Sequence, residues 1–289
     1  MSSKTASIRR QFNRSAAGSY DNHAQVQRTM ADRLAKSLIE WKSECTTVEP
    51  HILEVGCGTG TLTEILVNQW PRAPVTALDL APAMITIAEQ RIRSGTGNHA
   101  EYSKSRSDRI RFLLADVETW AAGAQSSSLD LIVSNACFQW LTDPLQTLVH
   151  LRRMLRTGGM LVFSTFGPDT FYELHQSFHE AYRANDLEPQ RHGLSFQSTA
   201  EWIQMLQKAG FSSIQDERSL QTETYASARD FLHSVKAMGA SSSEAAARPG
   251  LSSRRLFANM YKAYENKFSL PGGVAASYDI LMIQALAEK

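Results

Sequence analysis

The sequence predicts an α/β fold in which a mostly parallel sheet carries helices on both faces. Ile52-Leu53-Glu54-Val55 is a short apolar strand that runs into the glycine-dense turn Gly56-Cys57-Gly58-Thr59-Gly60, and Leu62 to Val67 continue at helical spacing. Ala77-Leu78-Asp79-Leu80 is a second such strand, ending in an acid twenty-three residues after Gly56. Strand and helix patterns then alternate to about residue 166, as expected when parallel strands are joined by crossover helices.

The elements follow in order. Residues 1–46 form an N-terminal arm in which Ala24, Met30, Leu34, Leu38 and Trp41 support helical packing. Strands are expected near 51–55, 74–79, 110–115, 129–134 and 159–165. Pro82 suits the first turn of a helix reaching Arg93, because its missing N–H would have been unpaired there. Ser94 to Ser107 is polar and reads as a loop. Ser198 to Gly210 reads as a helix with Gly210 beyond its end, followed by strands near 211–223 and 277–287. The result is a seven-stranded sheet with one antiparallel strand. Residues 47–289 thus form one domain with helical insertions at about 167–197 and 224–274. Ligands of open α/β sheets sit at the carboxyl ends of the strands, so these insertions are placed to roof the pocket as a helical lid.

Composition narrows the class without naming it. The chain has 289 residues and a net charge of +1, which points neither to nucleic acid nor to an acidic tail. Met1 to Phe12 is polar and basic without an apolar segment, and no run approaches the eighteen or so apolar residues of a membrane span. A soluble cytoplasmic protein with no membrane partner is expected. Cys45, Cys57 and Cys137 make no C-x-x-C pair, so neither a disulfide framework nor a metal site is indicated. The pattern does not specify an oligomeric state.

The glycine loop carries the first chemical signal. Three glycines let the backbone turn sharply and approach a ligand, the helix start offers free N–H groups, and an acid at Asp79 stands where a ribose hydroxyl pair would be. A dinucleotide site requires G-x-G-x-x-G, but Thr61 holds the last of those positions and the third glycine comes one place early, at Gly60. The resulting G-x-G-x-G, with Glu54 two residues before it, resembles motif I of class I S-adenosylmethionine-dependent methyltransferases, whose sheet is Rossmann-like. Leu114-Ala115-Asp116-Val117, Leu129 to Asn135 and Leu155 to Phe163 resemble the later motifs in order and spacing, so the likeness spans roughly residues 47 to 166. The alternative is that Asp79 and Asp116 merely cap helices. The resemblance implies S-adenosyl-L-methionine as cofactor and S-adenosyl-L-homocysteine as product. Gly56, Gly58, Gly60 and Glu54 would face the methionine portion, and Asp79 the ribose hydroxyls. Leu80 and Met84 would lie against the adenine, with Asp116 and the Val117 N–H at its edge. Tyr20 would cover the cofactor, and Asn135 would offer its backbone carbonyl.

The arm Phe12-Asn13-Arg14-Ser15-Ala16-Ala17-Gly18-Ser19-Tyr20-Asp21, the insert Phe171 to Gln176, the stretch Ser234 to Ala240 and Asn135 to Trp140 narrow the likeness. Together they resemble the malonyl-acyl-carrier-protein O-methyltransferases of biotin synthesis. That family implies methylation of the free carboxylate of a malonyl thioester on acyl carrier protein or coenzyme A, giving a methyl ester that serves as primer for pimelate. A carboxylate with a pKa near about 4 is already ionised at neutral pH, so no residue is assigned as acid or base. Candidates to hold that carboxylate are Arg14, His23, Gln139, Trp140, His175 and Gln176. Arg248, Arg254, Arg255, Lys262 and Lys267 recur around an apolar helical stripe, and Arg254, Arg255 and Lys262 are candidates for docking an acidic carrier. Arg152, Arg153 and Arg156 suit the end of a helix dipole instead. A small-acid or quinone-precursor methyltransferase shares the arm and core, and a non-enzymatic cofactor-binding protein could share the fold.

Overall fold

Ile52-Leu53, Leu131-Ile132-Val133 and Met160-Leu161-Val162-Phe163 are continuous apolar runs, and the structure buries both of their faces. Leu53, Val55, Ile132, Leu161 and Phe163 enter one core with Leu148, Leu151 and Trp202. Their neighbours Ile52, Leu131, Val133, Met160 and Val162 enter another, with Leu34, Leu38, Leu66 and Trp70. Alternate residues on opposite faces, all apolar, are what a parallel strand covered by helices on both sides requires. The computed structural model describes residues 3–16, 20–44, 49–94, 109–190, 192–239 and 251–288, and side chains of those residues other than 40–44 and 251–253. The Trp41 side chain, Cys45, the loop expected after Ser94, Ala240 and Arg248 lie outside that description.

The arm is made of α1 (Ser3–Ala16), the four-residue α2 (Tyr20–His23) and α3 (Gln25–Glu44). Next come β1 (Ile52–Val55), α4 (Thr61–Gln69), β2 (Val75–Asp79), α5 (Pro82–Ser94), β3 (Ile110–Leu114), α6 (Val117–Gly123) and β4 (Leu129–Asn135). A 3-10 turn at Phe138–Trp140 leads to α7 (Pro144–Met154) and β5 (Leu155–Phe166). The remainder is α8 (Tyr172–Arg183), α9 (Thr199–Lys208), β6 (Ser212–Tyr225), α10 (Ala228–Ala237), α11 (Leu251–Phe268), β7 (Ser269–Leu270) and β8 (Gly273–Ala287). The strand order is β3-β2-β1-β4-β5-β8-β6. Only β8 on this path runs antiparallel to its neighbours, and the two-residue β7 pairs with it.

Three expected boundaries move. The last strand begins at Gly273, four residues before 277, because Gly272 and Gly273 adopt positive φ and fold β7 back onto β8. Strand β6 runs on to Tyr225, so the second insertion becomes helical only from Ala228. Strand β5 begins at Leu155, opposite Leu129, with a register shift between Leu129 and Leu131. The insertions and arm share a third core in which Met30, Phe178, Phe231, Met260 and Tyr264 pack over Tyr278 and Ile280 of β8. Glu173 of α8 ties this roof to the sheet, accepting from the Ser277 N–H at 3.0 Å and the Ser277 hydroxyl at 2.6 Å. No helix among the described residues is long and apolar enough to cross a membrane. The strand order reverses between β1 and β4, so a crevice opens beyond Val55, Asp79 and Asn135.

Candidate active site

In that crevice the glycine loop is held in the left-handed region, with φ of +75° at Gly56 and +53° at Gly58. A Cβ on Gly56 would lie 2.6 Å from that of Cys137, so close packing against the β4 end also demands glycine there. At Gly58 nothing stands within 4 Å of an added Cβ. Gly58 lines a cavity of about 110 Å³ over the loop, together with Asp79, Leu80, Met84, Asp116 and Val117.

The two aspartates differ in what they do locally. Asp79 accepts from the Gly58 N–H at 2.9 Å and the Ala81 N–H at 2.8 Å, pinning the loop to the end of β2. Burial raises its pKa, and the backbone N–H groups of Ala81, Gly58 and Leu80 work against that rise. Asp116 does cap a helix, accepting from the Glu118 N–H at 3.1 Å at the start of α6. Both nonetheless face the same cavity.

Glu54 is buried, and burial pushes its carboxyl up to about 8 despite a 2.6 Å hydrogen bond from the Thr63 hydroxyl. It opens on a side cavity of about 40 Å³ whose walls include Arg28, Tyr20, Gly56, Gly58 and Asn135. A cation and an acid therefore share one small space, and Arg28 is a residue the motifs did not single out. The Asn135 side chain is committed elsewhere: its amide donates to the Gln27 carbonyl at 2.9 Å and accepts from the Ser164 hydroxyl at 2.6 Å.

Above the loop lies a roof cavity of about 200 Å³, walled by α8, α10, α11 and residues 192–194 and 196. Phe12, Tyr20, Ala136 and Trp140 line both this cavity and the loop cavity. Phe12 meets Trp140 edge-on at 5.2 Å. Burial, with the charges of Asp79 and Asp21, drives the Tyr20 phenol far above its ordinary pKa, so it stays neutral. No lysine or arginine is among the described residues lining the roof cavity.

The six carboxylate candidates separate here. Gln139, Trp140 and His175 line the roof cavity. Gln139 commits both amide ends, donating to the Ala136 carbonyl at 2.7 Å and accepting from Thr165 at 3.0 Å. Arg14 and Gln176 are instead exposed and line neither cavity; Gln176 sits one residue, or about 100° of helix, from His175. His23 also lines neither, and its Nδ1 lies 3.1 Å from the Ser234 hydroxyl of α10. A further histidine, His192, does line the roof, stacked on Phe178 at 3.7 Å with Nε2 2.7 Å from the Tyr182 hydroxyl. Burial and the neighbouring His175 lower its pKa. It lies in a loop without periodicity, so no pattern marks it.

Arg152 and Arg156 are used structurally, by Gly210 and Asp130 respectively. On α11, Arg254, Arg255 and Lys262 are exposed, and Phe257 of the same helix reaches the roof cavity.

Residues 22–216 match a family described as a methyltransferase domain. A malonyl-acyl-carrier-protein O-methyltransferase of Paenibacillus sp. is 59% identical over 285 residues, covering 99% of this chain and 100% of that protein. One from Brevibacillus brevis is 39% identical over 273 residues, covering 94% and 93%. Among solved structures, the YcgJ protein of Bacillus subtilis superposes with a TM-score of 0.56 at 14% identity, covering 88% of this chain and 98% of that one, a likeness of fold. With a class I methyltransferase sheet, a glycine loop at its switch point and near full-length similarity to these relatives, the chain belongs to the malonyl-acyl-carrier-protein O-methyltransferase family.

Proposed function

We infer that this chain methylates the free carboxylate of a malonyl thioester on acyl carrier protein, using S-adenosylmethionine and releasing S-adenosylhomocysteine. The observation that carries this reading is the wall of Phe12, Tyr20, Ala136 and Trp140 common to the loop and roof cavities, where a donor and an acceptor would meet. The loop and side cavities also share Tyr20, Gly56, Gly58 and Asn135. Leu80, Met84 and Val117 make one end apolar, and the Glu54 carboxyl with Arg28 make the other polar, which suits a flat ring joined to an amino-acid tail.

In this reading Asp79 accepts from the ribose hydroxyls, and Asp116 with the Val117 N–H meets the adenine edge. Glu54 faces the tail ammonium and Arg28 its carboxylate. The Asn135 backbone is what remains for the ligand, since its side chain is committed. The bound sulfonium supplies an electrophilic methyl group. The acceptor carboxylate is already ionised, so the protein's work is to align it and exclude water, which can contribute on the order of 7–11 kcal/mol. Negative charge on the acceptor falls as the methyl moves across. A fixed lysine or arginine would hold the anion more tightly before the transition state than in it, and the roof lining described above has neither. Trp140, His175 and the neutral His192 suit recognition by hydrogen bonding.

The residue 1–46 arm then acts as a cap and the two insertions as the acceptor roof. An acidic carrier would dock on Arg254, Arg255 and Lys262, with its prosthetic arm entering beside Phe257. A cytoplasmic biosynthetic role, supplying the ester primer for pimelate and biotin, fits this reading. The test is to incubate the protein with methyl-labelled S-adenosylmethionine and a panel of malonyl-carrier, malonyl-coenzyme A and free dicarboxylates. Label is expected on the malonyl thioester; label on none of them refutes the activity, and label on a free acid alone moves the assignment to a small-acid enzyme.

A further inference from the structure

The short turn that carries Tyr20 is fastened to the glycine loop by its next residue. Asp21 Oδ1 accepts from the Thr59 hydroxyl at 2.7 Å, and Oδ2 accepts from Arg91 at 2.5 Å. Arg91 Nε donates in turn to the Thr59 carbonyl at 2.8 Å, so arm, glycine loop and α5 meet at one carboxylate. Arg28 also donates to the Asp21 carbonyl, closing the turn on α3. The Arg91 and Asp21 side chains are 27% and 45% exposed, which makes this a fastening that can open and that salt can weaken.

What lies beneath the turn gives the fastening a consequence. Ile8 and Phe12 of α1 and Tyr20 of α2 all line the loop cavity from the arm side. A ligand bound there would lie under arm side chains, so holding the arm down would slow its exchange. Asp21 itself lines none of the loop, side or roof cavities. We propose that Asp21 is a positioning residue whose clasp on Thr59 and Arg91 holds Tyr20 over the loop cavity and governs how fast S-adenosylhomocysteine leaves. This rests on the loop cavity being the donor site.

The test measures release of S-adenosylhomocysteine from the full-length protein by stopped-flow, using intrinsic fluorescence, since Trp140 lines the cavity. Equilibrium titration comes first, and a wild-type protein that does not bind S-adenosylhomocysteine would refute the donor site itself. With binding established, Asp21→Asn should release it about tenfold faster, equivalent to about 1.4 kcal/mol. Wild-type release should also accelerate with added sodium chloride, whereas Asp21→Asn should lose that dependence. Arg91→Gln removes the same charge pair from the other side, together with a 3.9 Å contact to Glu64 and the bond to the Thr59 carbonyl, and should release at least as fast, which keeps the test open if Asp21→Asn does not fold. Wild-type release rates in the folded variants overturn the proposal. So does faster release that keeps the full salt dependence, because that would report general loosening.

Discussion

Thr63 of α4 donates a 2.6 Å hydrogen bond to Glu54 of β1 at the buried end of the side cavity. The pair joins the first strand to the helix that follows the glycine loop, and it leaves an acid where water is scarce. Burial raises the Glu54 carboxyl from 4.5 to about 8, and Asp79 shifts it in the same direction. Between those values the folded protein keeps a proton that the unfolded chain has lost. Stability of the ligand-free protein should therefore be greatest below about pH 4.5 as far as this group is concerned, and fall as pH rises toward 8. Glu54→Gln retains an acceptor for Thr63 and should remove this part of the slope, stabilising the protein at pH 8 by on the order of a few kcal/mol. Denaturant unfolding at several pH values checks it, and an unchanged slope in the variant contradicts it.

Asp79 carries two tasks, because the carboxylate expected to face ribose hydroxyls also accepts from Gly58 and Ala81. Asp79→Ala should weaken S-adenosylhomocysteine about a hundredfold or more by calorimetry, reflecting lost charge-assisted hydrogen bonds and a freed loop. Asp116→Asn preserves an acceptor for the Glu118 N–H and should cost only about tenfold. Equal losses in the two variants would contradict this division.

The parts of this molecule that were legible in the sequence are those with a local cause. Leu131 to Val133 and Met160 to Phe163 declare buried strands because every residue is apolar, and Gly56, Gly58 and Gly60 declare a tight turn by their spacing alone. The Asp21–Arg91 clasp joins residues seventy positions apart, and no periodicity announces such a pair. Arg28 escaped notice for a related reason: it belongs to the side cavity only because α3 crosses the loop. Arg14 and Gln176 misled because a motif gives the neighbourhood of a side chain but not the rotation of its helix. His175 and Gln176 share a motif, yet one lines the roof cavity and the other is exposed.

The glycine loop offers a contrast within three residues. Gly56→Ala combines a positive φ with a collision at Cys137, so it should destabilise the fold by roughly 2–4 kcal/mol and abolish S-adenosylhomocysteine binding. Gly58→Ala meets no protein atom within 4 Å and should cost only about 1 kcal/mol of stability, from backbone strain. Gly58 lines both the loop and the side cavity, so ligand affinity should nevertheless fall. Thermal unfolding with and without ligand separates the two effects; similar unfolding temperatures for both variants would contradict the packing argument.

The exposed cations of α11 make a claim about the partner. Arg255 and Lys262 lie two turns apart on the helix that also sends Phe257 to the roof cavity. Charges at such a rim act chiefly on encounter with an oppositely charged protein, and salt screens them. Arg255→Glu combined with Lys262→Glu should raise KM for malonyl-carrier about tenfold at low ionic strength while leaving S-adenosylhomocysteine affinity intact. The difference from wild type should shrink as salt is added. Malonyl-coenzyme A, which presents the same thioester without a carrier surface, supplies the control, and its KM should change much less. A rise of equal size for both substrates would place the effect on the prosthetic arm, and an unchanged KM for malonyl-carrier would remove α11 from the docking surface.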